Sequence, residues 1–348
     1  MPEPHLLPER RPSLRNGGDL AAAGLIPPER AAAIDAVALR YSMAITPILA
    51  GLIDPNDPND PIARQFIPDP AELENAPDEC DDPIGDISHS PLKGVIHRYP
   101  DRLLLTPVLR CPLYCRFCFR RGWTGEADGA LSDAEMEAAL DYVRSHNEIW
   151  EVILSGGDPL MLPPSRLKAL IGALNAIPHV AVIRIHSRIP IGDPGRVGPA
   201  LIDALTGDTA LWLALHCNHP RELGPDAAAA CRRLSAAGIP LLGQTVLLGG
   251  VNDDEEVMEA LFRAMVKNRI KPYYLHHLDA APGTRRFHVP LARGQAIMRH
   301  LRGRVSGLCP PTYVLDIPGG HGKVPIGPAY LEEGFVQDWQ GHNHKAPD

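Results

Sequence analysis

No run of the 348-residue chain approaches the ~20 uninterrupted apolar residues that a membrane-crossing helix needs, so no span is predicted. The start, MPEPHLLPERRPSLRNGGD, has no apolar h-region and is not a secretory leader; a cytoplasmic chain with reduced thiols is expected. There is no basic excess. Lys and Arg total 34 against 42 Asp and Glu, a net charge of −8, which argues against a non-specific nucleic-acid binder. There is no internal repeat at a fixed period, and the one low-complexity stretch is an Asp-Pro run. What remains is the composition of a soluble globular protein, 45% hydrophobic and 22% charged. The length is about twice the usual ~150 residues of one domain. It can bury a full core without staples, as two domains or as one large α/β barrel with an appendage. Seven cysteines in a reducing compartment suggest metal chemistry rather than disulfides.

Residues 1–53 form a helical N-terminal segment, with an Ala/Leu/Ile-rich helical pattern from Pro28 to Ile53. Proline is abundant, 37 in all, and much of it falls in DPNDPNDP and PDPAELENAPDECDDP between 54 and 83. That composition has too many helix breakers and too few apolar residues for a core, so 54–92 reads as an extended acidic connector lying over the rest. From about residue 100 short apolar runs alternate with amphipathic stretches. Strands are predicted at Leu103–Leu109, Glu151–Ser155, Val180–His186, Leu211–His216, Leu241–Leu248, Pro272–His276 and Thr312–Asp316. Helices are predicted near Ser132–Ser145, where Ser132 and Glu135 make a capping-box signature, and near Ser165–Asn175, Val197–Leu205, Asp226–Ala237, Asp253–Asn268 and Leu291–Leu301. This alternation indicates a parallel sheet, open or closed into a barrel, with its site at the C-terminal strand ends. The unusual residues cluster there: Ser155–Asp158, His186–Arg188, His216–His219, Gln244, His276–Asp279 and Asp316. The tail, 329–348, carries His342 and His344 and is expected to be solvated and disordered.

Two segments carry chemistry. Cys111, Cys115 and Cys118 in RCPLYCRFCFRR form C-x3-C-x2-C just after the first predicted strand. Structural zinc wants four ligands, usually as two paired motifs, and no second pair of matching spacing is present. Iron–sulfur clusters are thiolate-ligated too, typically by four Cys; three would leave one iron of a four-iron cluster open to a substrate or cofactor. A degenerate zinc loop or buried thiols are the other readings. Cys80, Cys217, Cys231 and Cys309 are scattered and read as structural. The second segment is PTYVLDIPGGHGKVPIGP at 311–328, a Gly-rich turn ending in Lys323. Such a loop lets backbone approach a ligand, and its lysine suits a Schiff base with pyridoxal phosphate. The phosphate-loop pattern fails because Val324 follows the lysine. A solvated lysine on a surface turn is the bland alternative.

The cysteine motif, with an aromatic before its third Cys, resembles the signature of the radical S-adenosylmethionine superfamily, in which the open iron chelates S-adenosylmethionine. LSGGDPL at 154–160 resembles the superfamily's Gly-Gly-Asp/Glu strand end, which binds the methionine amino group. Taken with the lysine loop, the stretch from Ile34 to Pro328 resembles the lysine 2,3-aminomutase family. The resemblance implies a partial parallel (β/α)6-type TIM-like barrel over 93–328, an α/β fold with a helical N-terminal segment. It implies a [4Fe-4S] cluster on Cys111, Cys115 and Cys118, and pyridoxal 5′-phosphate in Schiff-base linkage to Lys323. HRYPDR at 97–102 matches the family's cofactor segment, which assigns Arg98, Tyr99 and Arg102 to pyridoxal phosphate, and a phosphate dianion indeed favours Arg. Ser155, Gly156, Gly157, Asp158, Arg188, His216 and Gln244 match the S-adenosylmethionine and pyridoxal pocket. Arg120 matches the clamp on the substrate carboxylate, and Asp279 and Asp316 match two carboxylates that pair with the distal ammonium of lysine. Two strand-end carboxylates in an apolar pocket are costly unless a cation joins them, and a lysine ε-ammonium would supply it; glutamate-directed relatives place non-acidic residues there, so the resemblance disfavours glutamate as substrate.

The implied reaction is the interconversion of L-lysine and β-lysine through a 5′-deoxyadenosyl radical and an external aldimine of pyridoxal phosphate. Other readings are β-lysine supply for modifying elongation factor P, an arginine-directed aminomutase, and a non-catalytic iron–sulfur or regulatory protein. The implied partners are an amino-acid substrate, an electron donor of flavodoxin or ferredoxin type and a second copy in a homodimer, with no nucleic acid or membrane. Longer members bind zinc between subunits through C-terminal cysteines; QDWQGHNHKAPD has none, which leaves that zinc and the usual tetramer open.

Overall fold

The alternation of apolar runs and amphipathic segments is realised as a sheet in which spatial order follows chain order. The computed structural model describes residues 12–74, 76–124 and 129–347. Nine strands run side by side: β1 (Val95–Tyr99), β2 (Arg102–Val108), β3 (Glu151–Gly156), β4 (Val182–Ser187), β5 (Ala210–His216), β6 (Leu241–Val246), β7 (Ile270–His276), β8 (Thr312–Asp316) and β9 (Lys323–Pro325). β2 to β8 are parallel throughout, and β1 and β9 add antiparallel edges. No ladder joins β1 to β9 among the described residues, so the sheet is a partial, TIM-like barrel of the α/β class.

The seven predicted strands are the parallel ones. Parallel strands covered on both faces read as continuous apolar runs, as the consecutive buried residues Val152, Ile153 and Leu154 of β3 illustrate. The two edge strands escaped that pattern. β1 lies in the HRYPDR segment and turns through Pro100 and Asp101 into β2, with Tyr99 opposite Arg102. β9 begins at Lys323 itself, with Asp316 of β8 opposite it.

The helices match their predicted places. Asp133–Ser145 opens on the expected capping box: Ser132 Oγ accepts from Glu135 N at 3.3 Å, and Glu135 Oε2 accepts from Ser132 N at 2.8 Å. Pro164–Asn175 buries Leu167, Leu170, Ile171 and Leu174, a single i, i+3, i+4, i+7 stripe against the sheet. Truncating Leu174, which is wholly buried, to Ala is expected to lower stability by about 2–5 kcal/mol, measured by urea unfolding. A change within ±0.5 kcal/mol, typical of surface sites, would contradict this packing. Among the described residues no helix is long and apolar enough to cross a membrane.

The Pro28–Ile53 pattern is realised as two helices, Ala31–Arg40 and Pro47–Ala50. Pro47 disfavours helical backbone at Thr46, which instead caps the second helix. The 54–92 stretch is more than a connector lying over the core. Its aspartates bind local backbone: Asp54 and Asp57 accept from Asn56 N and Asn59 N at 2.9 Å, and Asp60 caps the helix Pro61–Phe66. That helix sends Ile62 and Phe66 into a second apolar cluster with Leu20, Ile34, Ile45, Leu49 and Leu113, the last from the cysteine loop. The described part of the tail is not irregular. It forms three short antiparallel strands, β10 (Leu331–Glu332), β11 (Phe335–Gln337) and β12 (Asn343–Lys345), too short to show a period. Asp338 closes their turn by accepting from Gln340 N and His342 N at 2.9 Å.

Candidate active site

The cysteine loop leaves the end of β2 and is held from both sides. Tyr114 N donates to Ala44 O at 3.1 Å and Arg116 N to Gln65 O at 2.9 Å, tying it to the N-terminal layer. Arg116, 1% exposed, makes a bidentate contact with Glu72, which Arg121 and Arg286 also approach. Burial alone would raise the Glu72 carboxyl, but the three guanidinium groups outweigh it and hold the carboxyl below its usual range. All three thiols are free. Burial, then neighbouring negative charge, raises Cys111, and burial pushes Cys118 up to about 11. Burial raises Cys115 as well, against the opposing charge of Arg188. Without a metal these thiols are protonated; a cationic cluster would release the protons. Among the described residues no three His, Cys, Asp or Glu side chains converge on a single metal ion. Three free thiols on one loop, with no fourth cysteine beside them in the motif, are the donor set of a four-iron cluster with one open iron.

The Gly-Gly-Asp turn abuts this loop. Gly156 has φ +105°, and a Cβ on Gly157 would stand 2.6 Å from Arg110 O, so only glycine lets the end of β3 approach here. Gly157 N donates to Val108 O at 2.9 Å and Asp158 N to Arg110 O at 3.0 Å. The Asp158 carboxylate turns inward. It accepts from Ser187 Oγ at 2.8 Å and from the backbone N–H of Leu160, Arg188 and Ile189, locking the end of β3 to the end of β4. Burial pushes it up to about 6 despite these donors. Asp158 is thus taken up by the protein; what its motif offers a ligand is the turn.

Arg188 is likewise engaged internally: Nη1 donates to Cys115 Sγ at 2.9 Å, and Nη2 to Gln65 Oε1 and Glu222 Oε2. Inside the barrel, His186, His216 and His276 approach one another from β4, β5 and β7, with buried Gln244 on β6. Burial lowers all three imidazoles, His216 to about 3, so they are neutral at pH 7. Nε2 of His186 and of His276 is buried without a partner, so each has a hydrogen-bonding capacity that the protein does not meet.

Lys323 sits at the opposite end of the sheet. Its backbone N–H donates to Tyr99 Oη at 2.7 Å. Its Nζ pairs with Asp316 Oδ2 and lies 3.3 Å from His276 Nδ1. Burial would raise Asp316, but neighbouring His276, 3.9 Å away, and the charge of Lys323 hold it below the usual carboxylate range. Asp279 is pushed up to about 7, by burial first and then by the charge of Asp316. Lys323 thus pairs directly with Asp316, while Asp279 lies near enough to feel the charge of both.

The remaining arginines divide. Arg98 Nη2 donates to Asp86 Oδ1 at 2.7 Å, and Arg120 Nε and Nη2 donate to Asp86 Oδ2 at 3.0 and 2.7 Å. Arg98 Nε is buried and unpartnered. Arg120 Nη1 reaches Ser155 Oγ only at 3.4 Å. Arg102 lies over the Tyr99 ring at 3.8 Å and bonds Asp101, one third exposed. Lys323 within reach of Asp316 and His276, an orphaned Arg98 Nε and a glycine turn with positive φ at Gly319, Gly320 and Gly322 fit pyridoxal phosphate. Sequence reasoning missed Asp86, Gln65, Glu72 and Glu222. Asp86 is one of many acidic residues in its stretch, and only tertiary contact distinguishes it: Gly85 packs on Gly319 and Gly320, which sets Asp86 beside the lysine loop.

Comparison with known proteins gives two family matches: the radical SAM superfamily over residues 105–262 and lysine-2,3-aminomutase over 298–334. The chain is 44% identical over 289 residues to an L-lysine 2,3-aminomutase of Clostridium subterminale, covering 83% of this chain and 70% of that one. It is 42% identical to a putative L-lysine 2,3-aminomutase of Aquifex aeolicus, covering 84% and 80%. A glutamate 2,3-aminomutase of Clostridioides difficile is 36% identical, covering 90% and 76%.

Proposed function

Because the chain belongs to the lysine 2,3-aminomutase family of radical SAM enzymes, and is on that ground an isomerase, we propose that it interconverts L-lysine and β-lysine. The observation that carries this choice of substrate is the charge balance at Asp279 and Asp316. Lys323 pairs with Asp316, and Asp279 is buried beside that pair; once the lysine amine is engaged elsewhere, Asp316 loses its ion-pair partner and the two carboxylates face each other. A lysine side chain brings an ammonium to that position. A glutamate side chain would bring a third carboxylate, and this distinguishes the chain's pocket from what a glutamate enzyme requires.

The division of labour follows from the contacts. Cys111, Cys115 and Cys118 would hold the [4Fe-4S] cluster, and the Gly156–Gly157 turn would lie beside the S-adenosylmethionine it binds. When bound, cluster and S-adenosylmethionine supply a carbon radical able to abstract hydrogen, and pyridoxal phosphate supplies an aldehyde and an electron sink. Arg98, with its spare Nε–H, would bind phosphate, and Tyr99 fixes the backbone of Lys323. Asp86 grips the side-on edge of Arg120 and leaves Nη1 for the substrate carboxylate. Neutral His276 beside Lys323 Nζ can accept its proton at Nδ1.

Anaerobic turnover tests the proposal. Protein reconstituted with iron, sulfide and pyridoxal phosphate is given S-adenosylmethionine and a reductant, with L-lysine, L-arginine or L-glutamate in parallel. β-Lysine from lysine alone is the expected product. Cleavage of S-adenosylmethionine with a β-amino acid only from arginine or glutamate would reject the substrate and keep the radical chemistry.

A further inference from the structure

We propose that Arg188 is a positioning residue for electron entry: its hydrogen bond to the Cys115 sulfur makes the cluster on Cys111, Cys115 and Cys118 easier to reduce. This rests on the cluster reading above and adds a role for the end of β4.

The contact is direct, with Nη1 2.9 Å from Sγ, and the side chain has little freedom to leave it. Nη2 donates to Gln65 Oε1 at 2.8 Å and to Glu222 Oε2 at 2.5 Å. The guanidinium lies between Phe66 at 4.8 Å and Phe117 at 5.5 Å, and the residue is 7% exposed. Its backbone N–H is held by Asp158 at 2.8 Å. Glu222 is fixed in turn, because Oε1 accepts from Gln65 Nε2 and from the backbone N–H of Asn218 and His219. Four chain segments, at Gln65–Phe66, Phe117, Asp158 and Glu222, thus converge to aim one N–H at one sulfur.

Reduction adds one electron, taken from an external one-electron donor, to a cluster whose negative charge is spread onto its thiolate ligands. A hydrogen bond and a positive charge at a ligating sulfur stabilise the reduced form more than the oxidised form, which raises the potential. Away from water such charges act strongly. Glu222 opposes the effect: its carboxylate lies next to the guanidinium and partly offsets its charge at the cluster. The two residues therefore shift the potential with opposite signs, which a purely structural tie would not do.

The test uses the full chain, reconstituted anaerobically with iron and sulfide and without S-adenosylmethionine. Iron and sulfide are counted, and the midpoint potential is read from the EPR signal of the reduced cluster during a redox titration. Arg188→Met is expected to move the midpoint to more negative potential at unchanged iron content, and Arg188→Lys to move it less. Glu222→Gln is expected to move it to more positive potential. Midpoints equal to that of the unaltered protein at full iron content overturn the proposal, as do Arg188→Met and Glu222→Gln shifts of the same sign. If Arg188→Met assembles no cluster, Arg188→Lys and Glu222→Gln decide in the same way. Failure of the unaltered protein to assemble any cluster overturns the cluster reading instead.

Discussion

Lys323→Ala is expected to lose both turnover and the visible absorbance of protein-bound pyridoxal phosphate. The activity loss should be on the order of a thousandfold or more, the scale felt when a covalently acting group is removed. Among the described residues, Lys323 is the lysine whose Nζ reaches both Asp316 and a neutral imidazole, His276. Its position depends on the backbone bond to Tyr99 and on the glycines at 319, 320 and 322, all with positive φ. Lys323→Arg separates chemistry from packing: it keeps a cation for Asp316 and so should stay folded, yet it forms no carbon–nitrogen link to the cofactor aldehyde. Both variants should bind pyridoxal phosphate only reversibly, removable by dialysis. Absorbance retained after dialysis of Lys323→Ala would move the cofactor lysine elsewhere in the chain.

How much of this was legible depends on whether a residue's meaning is local. The parallel strands were readable because burial on both faces makes each an apolar run, and the Ser132 cap because its partner is three residues away. β1 and β9 were not, since an edge strand paired on one side needs no continuous apolar run. The cysteine spacing and the glycine turn before Lys323 are local patterns and stood out. The carboxylates that organise the site are different. Glu72, Asp86 and Glu222 are each at most 2% exposed, and the arginines that hydrogen-bond them lie 12 to 49 residues away in the chain. In an acidic stretch rich in turns nothing local distinguishes the buried aspartate from its solvated neighbours. The same limit affected Arg188 and Asp158. Their positions at strand ends suggested a ligand pocket, whereas their side chains join strand ends and cysteine loop to one another.

Asp279→Asn is expected to raise KM for lysine by roughly 10²–10⁴-fold, the ~3–5 kcal/mol scale for losing one partner of a recessed ion pair. Its pH dependence makes the prediction specific. Burial, then the charge of Asp316, holds the Asp279 carboxyl at about 7, whereas Asp316 stays ionised across the working range. Binding an ammonium needs the ionised carboxylate, so KM for lysine should fall as pH rises through about 7. The stability effect in the substrate-free protein has the opposite sense. A carboxyl with its folded value raised from 3.8 to about 7 contributes stability that is fully present below the lower value and lost as pH rises through the upper one. Between those limits the substrate-free protein should therefore become less stable with rising pH, and lysine should restore what is lost, because its ammonium supplies the charge that ionisation of Asp279 leaves unbalanced. Asp279→Asn fixes the group as neutral and should flatten both profiles together. Thermal unfolding and initial-rate kinetics over the same pH series measure them independently. A variant that kept the fall in KM through about 7 would assign the titration to another group and remove Asp279 from recognition of the distal ammonium.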